Sequence, residues 1–432
     1  MRFDVKGGRN MTASRRDFLR RVSVGGAAVA LAGGVLGRPA RGLAQVLPKS
    51  SGKRLVVIGA GFGGIFAART VKRLVADAEV VVLERAPFFI SCPATLEYLF
   101  GHNSLDTITF GYSPLMAKGI KVIRTEVVSV EPDKKRVVAA AGAVDYDHLL
   151  VATGIRLGYE DVPGLPEAYH LNASIYDKAT PLIDTRHRID AFAGGTVVLN
   201  APAGAYKCPP GPYEYALLWA EHVKKRGLRA KVILLDAKPG PIPGPNAPAF
   251  LDAMNANKDV LTYTPQTKIT GVDGTKKIVK TDAGDVAFDF LSIIPPNKAA
   301  EFIKESGLGS LFVDVDPVTL RSTKNLSVYA VGDAAQTPYT KSAYVASVTG
   351  KTVGTYIAKA MGSSEPDPAP PHNICYPYVA SDKAILIRAD WSYGTKDGKV
   401  EVQTKLVPDN TPKASSAQIR REWEKGLWRE MF

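Results

Sequence analysis

Three residues in this sequence can carry sulfur chemistry: Cys92, Cys208 and Cys375, its only cysteines. The stretch KCPPGPYE, residues 207–214, sets Cys208 beside two prolines and puts a carboxylate, Glu214, six positions further on. A thiol near a carboxylate suits disulfide exchange or nucleophilic catalysis, because the thiolate is the reactive form and needs a base to make it. Glu214 falls at or near the start of the next helix, where the roles of base, helix cap and solvated acid are all open. Two of the three cysteines can pair, which leaves one needing another explanation. No cysteine has a neighbour at C-x-x-C spacing and the six histidines are scattered, so neither a zinc nor an iron–sulfur site is expected. C-x-x-C-H is absent as well, so no covalent haem is expected on this chain.

Those residues need a scaffold, and the glycines announce one. An apolar run, Leu55 to Ile58, leads into Gly59-Ala60-Gly61-Phe62-Gly63-Gly64, then a helical pattern, then a second run ending at Glu84 and Arg85. Strand, glycine turn, helix and strand with an acidic end make a dinucleotide-binding unit. Gly59 permits the tight turn, Gly61 lets a pyrophosphate approach the helix N-terminus, Gly64 allows close helix packing, and Glu84 is placed for a ribose hydroxyl. Downstream, YDHLLVATG with Thr153 and Gly154 resembles the turn that returns the chain to the flavin domain in flavoproteins with two dinucleotide folds. NLSVYAVGDAA resembles their second flavin signature, with Gly332 and Asp333 at the ribityl side of FAD. Lys341 and Tyr344 open the helical stretch that follows, whose N-terminal dipole would favour an anionic reduced flavin.

Between the two flavin halves lies another α/β unit, with strands near 194–200 and 231–236. Its turn reads APAGAYKCPPGPYE. Gly204 and Gly211 are too far apart for the G-x-G-x-x-G geometry, and Pro209, Pro210 and Pro212 remove three backbone donors. Nicotinamide binding is therefore not expected. The fold class is α/β: two Rossmann-like domains with a smaller C-terminal α+β interface domain. The segments are 53–165 (flavin domain, first part), 166–290 (second dinucleotide fold, carrying Cys208), 291–362 (flavin domain, second part) and 373–432 (C-terminal, carrying Cys375). Ile419, Trp423, Leu427 and Met431 recur every four residues near the end, with Trp428 and Phe432 alongside, as a helical packing stripe.

Fifty-five Lys and Arg face 42 Asp and Glu, a formal charge of +13. Residues 1–44 alone carry nine basic and two acidic side chains, so the remaining +6 is a weak basis for nucleic-acid binding. Arg15-Arg16-Asp17-Phe18-Leu19 followed by a Gly/Ala/Val stretch and Gly42-Leu43-Ala44 reads as a twin-arginine export signal over 1–44, with Met1 or Met11 as start. The apolar run is shorter than the ~20 residues of a membrane span, so a periplasmic protein without an integral span is expected.

Taken together, VVIGAGFGG, ISCPATLEYLFG, KCPPGPYE, SVYAVGDAA, KSAYVASVTGK and the Cys375-Tyr376 pair resemble the flavoprotein subunits of flavocytochrome c sulfide dehydrogenase over nearly the whole chain. That resemblance implies FAD bonded covalently through Cys92, a redox-active Cys208–Cys375 disulfide, and Glu214 as an acid beside it. It also implies sulfide as substrate, sulfur or polysulfide as product, and electrons leaving through FAD to a haem c on a separate cytochrome subunit in a heterodimer. Sulfide:quinone oxidoreductases share the fold and the disulfide logic but reduce membrane quinone, and the terminal apolar stripe would suit their membrane contact. A third reading is a non-catalytic flavin-binding protein whose disulfide braces two domains.

Overall fold

The computed structural model describes residues 47–50, 52–176 and 180–432. The expected export signal, 1–44, lies outside them. Chain organisation begins with β1 (Arg54–Ile58), whose five residues are all buried, then helix α1 (Phe62–Leu74), β2 (Glu79–Glu84), β3 (Ile120–Arg124) and β4 (His148–Val151). β1 pairs in parallel with β2 on one side and β4 on the other, and β3 extends the sheet beyond β2. Parallel strands are covered on both faces, which is why these segments read as unbroken Val, Leu and Ile runs. A three-stranded antiparallel sheet over 127–145 is inserted before β4.

The second unit consists of β5 (Gly194–Ala201), α2 (Gly211–Arg226), β6 (Arg229–Asp236), β7 (Leu261–Thr264) and β8 (Phe290–Ser292). Its strands form a parallel sheet in the order β7-β6-β5-β8. α2 is anchored by Trp219, fully buried, whose ring packs edge-on to Phe290 with centroids 4.7 Å apart. The chain then returns as β9 (Val328–Ala330), which pairs with β4 and completes the first sheet, and α3 (Ala343–Ala360), which packs along α1. This is the α/β architecture of two Rossmann-like parallel sheets.

The remaining chain adds β10 (His372–Cys375), β11 (Tyr378–Ala380), β12 (Lys383–Lys396), β13 (Lys399–Lys413) and helix α4 (Ala414–Met431). β10, β11 and β13 all pair antiparallel with β12. The stripe expected on α4 needs correcting. Ile419 is 47% exposed, and the buried face is Ala417, Arg420, Glu424, Leu427 and Met431. Their 3-4-3-4 spacing is that of one helix face, but two of its members are charged. α4 is fixed to the first unit by Trp428 Nε1 donating to Ser91 Oγ (2.9 Å) and by the Phe432 ring stacking on Phe110 at 5.0 Å. Among the described residues, no helix is long and apolar enough to cross a membrane.

The glycine turn behaves as its spacing demands. A Cβ on Gly64 would stand 2.1 Å from the Gly59 carbonyl oxygen, whereas one on Gly61 would meet nothing. Gly64 therefore lets α1 lie against its own entry turn, while Gly61 faces open space where a ligand can approach. Gly64→Ala is expected to push the two apart at a cost of about 1–3 kcal/mol. Thermal unfolding and bound-flavin content of the purified variant, both lowered relative to the parent, check this.

Candidate functional site

Cys92, Cys208 and Cys375 come together on one small cavity of about 60 Å³, which Glu214, Arg420 and Tyr344 also line. They arrive from three directions: Cys92 from the turn before the short helix Thr95–Leu99, Cys208 from the β5–α2 loop, and Cys375 from the last residue of β10. All three are thiols in this structure. The N-terminus of α3 closes the same cavity with Ser342, Ala343 and Tyr344, so the dipole expected from the sequence points at the sulfurs' surroundings.

The loop that presents Cys208 is held firmly. Cys208 sits in the left-handed region, φ 51°, which non-glycine residues seldom adopt. Its amide donates to the Lys341 carbonyl (2.7 Å), and its carbonyl accepts from the Tyr176 hydroxyl (2.9 Å) and the Gly211 amide (2.8 Å). A Cβ on Gly211 would lie 2.8 Å from the Tyr176 hydroxyl and 3.4 Å from the Cys208 sulfur, so no larger residue fits there. The Lys207 amide donates to Asn297 Oδ1 (2.9 Å). The Lys207, Cys208 and Gly211 amides are thus bonded within the chain, and positions 209, 210 and 212, being prolines, have none to offer.

A buried charge cluster stands behind the sulfurs. Arg420 donates to the Glu214 carboxylate, to the Tyr376 carbonyl (3.1 Å) and to the Pro93 carbonyl (2.8 Å), and it lies over the Tyr378 ring at 4.2 Å. Arg420, Glu214 and Glu424 are each 5% exposed or less. The solvated reading of Glu214 is therefore excluded: its carboxylate is buried and ion-paired. Burial pushes the Glu214 carboxyl up, and Arg420 pulls it partly back. Burial also opposes the Arg420 charge, but Glu214 and Glu424 outweigh that and hold it firmly protonated. The Cys208 thiol is pushed well up, by burial first and then by Cys375, Glu214 and Cys92, with Arg420 acting against them. Cys375 is pushed up to about 12 by burial and Glu214, again with Arg420 opposing. Lys207 is deeply buried, which disfavours its charge, yet Cys92, Asp333 and Cys208 raise it overall.

The residues expected to hold FAD fit that group. Asp333 Oδ1 is buried with no hydrogen-bond partner, an acceptor awaiting a donor. A separate cavity of about 490 Å³ runs beside the first sheet and is lined by Gly59, Glu84, Arg85, Thr153 and Gly154. Glu84 accepts from the amides of Ala60 (2.7 Å) and Ala86 (2.8 Å), which fixes it at the mouth of the turn. Gly332 has φ 65°, bending the chain at the second flavin signature. Lys341 donates to the carbonyls of Asp333 (2.8 Å) and Ala335 (3.1 Å), and burial brings it down to about 8. Its ammonium braces this turn. Tyr344 bonds His372 (2.8 Å) at the cysteine cavity.

Arg420, Glu424, Tyr176 and the charge of Lys207 were not singled out from sequence. The signal for Arg420 and Glu424 was the 3-4-3-4 pattern of α4, in which the two charges occupy core positions. Glu424 has an oxygen 3.4 Å from Arg420 Nε but without a hydrogen bond. Its carboxyl is pushed up from 4.5 to about 8, by burial first, against the pull of Arg420. Because the folded value is the higher one, the stability this group contributes is complete below pH 4.5 and is lost as pH rises through about 8. Glu424→Gln, which mimics the protonated acid, should gain stability on the parent by about 1 kcal/mol or more between pH 5 and pH 8.5. Parallel unfolding curves at the two pH values read that difference.

The sequence and the fold have known counterparts. Residues 184–295, which include the Cys208 loop, match the family described as sulfide dehydrogenase (flavocytochrome c) flavoprotein chain, central. The mitochondrial sulfide:quinone oxidoreductase of Mus musculus is 26% identical over 306 residues, 67% of each chain. The sulfide-quinone reductase of Aquifex aeolicus is 31% identical over 184 residues, 42% of this chain and 41% of that one. The crystal structure of sulfide:quinone oxidoreductase from Aquifex aeolicus superposes with a TM-score of 0.74 at 21% identity, covering 88% of this chain and 91% of that one. Fold and matches together place the chain in the superfamily of FAD-dependent pyridine nucleotide-disulfide oxidoreductases.

Proposed function

We propose that the chain is an FAD-dependent sulfide dehydrogenase in which Cys208 and Cys375 form the disulfide that hydrosulfide attacks. The observation that carries this reading is the meeting of Cys208, Cys375, Glu214 and Arg420 on one cavity beside the α3 N-terminus. The names of the matching family and of the relatives support sulfide as the substrate. FAD would be held by the Gly59–Gly64 turn, Glu84 and Asp333, and when bound it supplies an acceptor for an electron pair that can be passed on singly.

In the first step hydrosulfide donates a lone pair to one sulfur of the disulfide. The sulfur–sulfur bond breaks, a persulfide forms on one cysteine, and the other leaves as a thiolate. A second hydrosulfide takes the outer sulfur as HSS⁻ and leaves a thiol. Thiol and thiolate then close again to the disulfide, releasing one proton and two electrons. Arg420 lies where anionic sulfur must be stabilised, and the proline-rich loop keeps Cys208 fixed while its partner changes.

For the electron acceptor we favour a c-type cytochrome subunit, with haem c on that partner, because the family match falls on the Cys208 unit. Quinone is the second reading, favoured by the named relatives. Placement in the periplasm after export by the twin-arginine route and a flavin thioether at Cys92 belong to the same proposal. Cys92 stands on the cysteine cavity with Pro93 beside it.

Anaerobic addition of sulfide should bleach the flavin of the purified protein within the mixing time of a stopped-flow instrument, and Cys208→Ser should lose that response. Bleaching of the variant at the parental rate sinks the disulfide mechanism. With sulfide present, reduction of cytochrome c but not of a soluble quinone analogue is expected; the reverse outcome selects the quinone reading. Denaturing, nonreducing mass spectrometry should find the mass of FAD on the peptide containing Cys92.

A further inference from the structure

The Arg420 side chain touches all three cysteine-bearing segments at positions next to the sulfurs. Its bonds reach Pro93, one residue after Cys92; Glu214, on the loop-helix unit of Cys208; and Tyr376, one residue after Cys375. A guanidinium has five donors in a rigid fork, which lets one side chain serve three such acceptors in fixed directions. Around Cys208 and Cys375 the charged and titratable groups are Arg420 and Glu424 from α4, Glu214 from α2, Cys92, Tyr176 and Lys207. Of these, Arg420 is the cation that acts on both thiols. Glu214, by contrast, is committed to Arg420, whose guanidinium donates to its carboxylate.

We infer that Arg420 is a positioning residue for the sulfur chemistry, gathering the three cysteine segments and supplying positive charge to anionic sulfur, while Glu214 holds Arg420 in place and does not act as the base. This deepens the reading given above and rests on it. Of the roles the residues left open for Glu214, this replaces that of base by that of anchor. It also favours hydrosulfide, an anion at neutral pH, over uncharged thiols as the attacking species.

The test uses the FAD-loaded full chain with its cysteines reduced, treated with iodoacetamide from pH 6 to pH 10. Peptide mass spectrometry follows alkylation of Cys208 and Cys375 separately. Arg420→Met should slow both at pH 8 by roughly threefold or more, an upward shift of about half a pKa unit. Arg420→Lys should fall between that variant and the parent. Glu214→Gln should speed both, because it removes a negative neighbour and leaves the cation. A merely structural role moves Arg420→Met and Glu214→Gln the same way by opening the cavity, and a Glu214 base makes Glu214→Gln slower; either result, or no change in both, overturns the inference. If Arg420→Met does not fold, Glu214→Gln decides alone, and slower or unchanged alkylation is the negative outcome. Neither sulfide nor an electron acceptor is present, so failure here is separable from failure of the sulfide reading, which the flavin-bleaching experiment addresses.

Discussion

The site depends on one buried cation. A guanidinium withdrawn from water is tolerated only when its charge and its donors are answered, and removing one partner of such a pair costs about 3–5 kcal/mol. Arg420 is answered by Glu214, by two backbone carbonyls and by the Tyr378 face, with Glu424 close by. Besides Glu424 on its own helix, the partners come from three other parts of the chain: Pro93, Glu214, and the Tyr376–Tyr378 segment. Satisfying this side chain therefore sets where α4 lies, how the β10 end approaches, and how far the Cys208 loop extends. Burial disfavours the charged form of both carboxylates and raises both, against the pull of the one cation.

The Rossmann-like halves provide the rigid frame. The first offers its glycine turn, Glu84 and the unpaired Asp333 oxygen to a dinucleotide. The second keeps the strand–loop–helix plan of a nucleotide site but has filled the loop with prolines and a left-handed cysteine, while Gly211 makes room for the Tyr176 hydroxyl. Three positions of the loop are prolines, and the Lys207, Cys208 and Gly211 amides are bonded within the chain. The loop presents a cysteine at the cavity that the α3 N-terminus also lines.

Much of this was legible in the residues. Apolar runs, the glycine turn and the acidic strand end specify the first sheet through local spacing, and the proline-rich loop announces its own departure from nucleotide binding. The convergence of three cysteines was accessible only through resemblance, since nothing local ties position 92 to 208 or 375. The last helix misled because hydrophobicity alone selects a four-residue stripe through Ile419, which is exposed, and passes over Arg420 and Glu424. Charged residues on a core face are unreadable without the partners that neutralise them. Glu214 shows the same gap: its position at a helix start was visible, but the arginine 206 residues away was not.

The bonds that close the site are long in another sense. Arg420 reaches Pro93 across 327 positions and Trp428 reaches Ser91 across 337. Contacts of such separation form late in folding, after the local strands and helices have condensed. Each sheet can assemble from nearer contacts while the last helix is still undocked. Until it docks, the three thiols lack the Arg420 cation and the cover that α4 supplies. Docking of α4 adds Arg420 and Trp423 to the cavity that the three cysteines line.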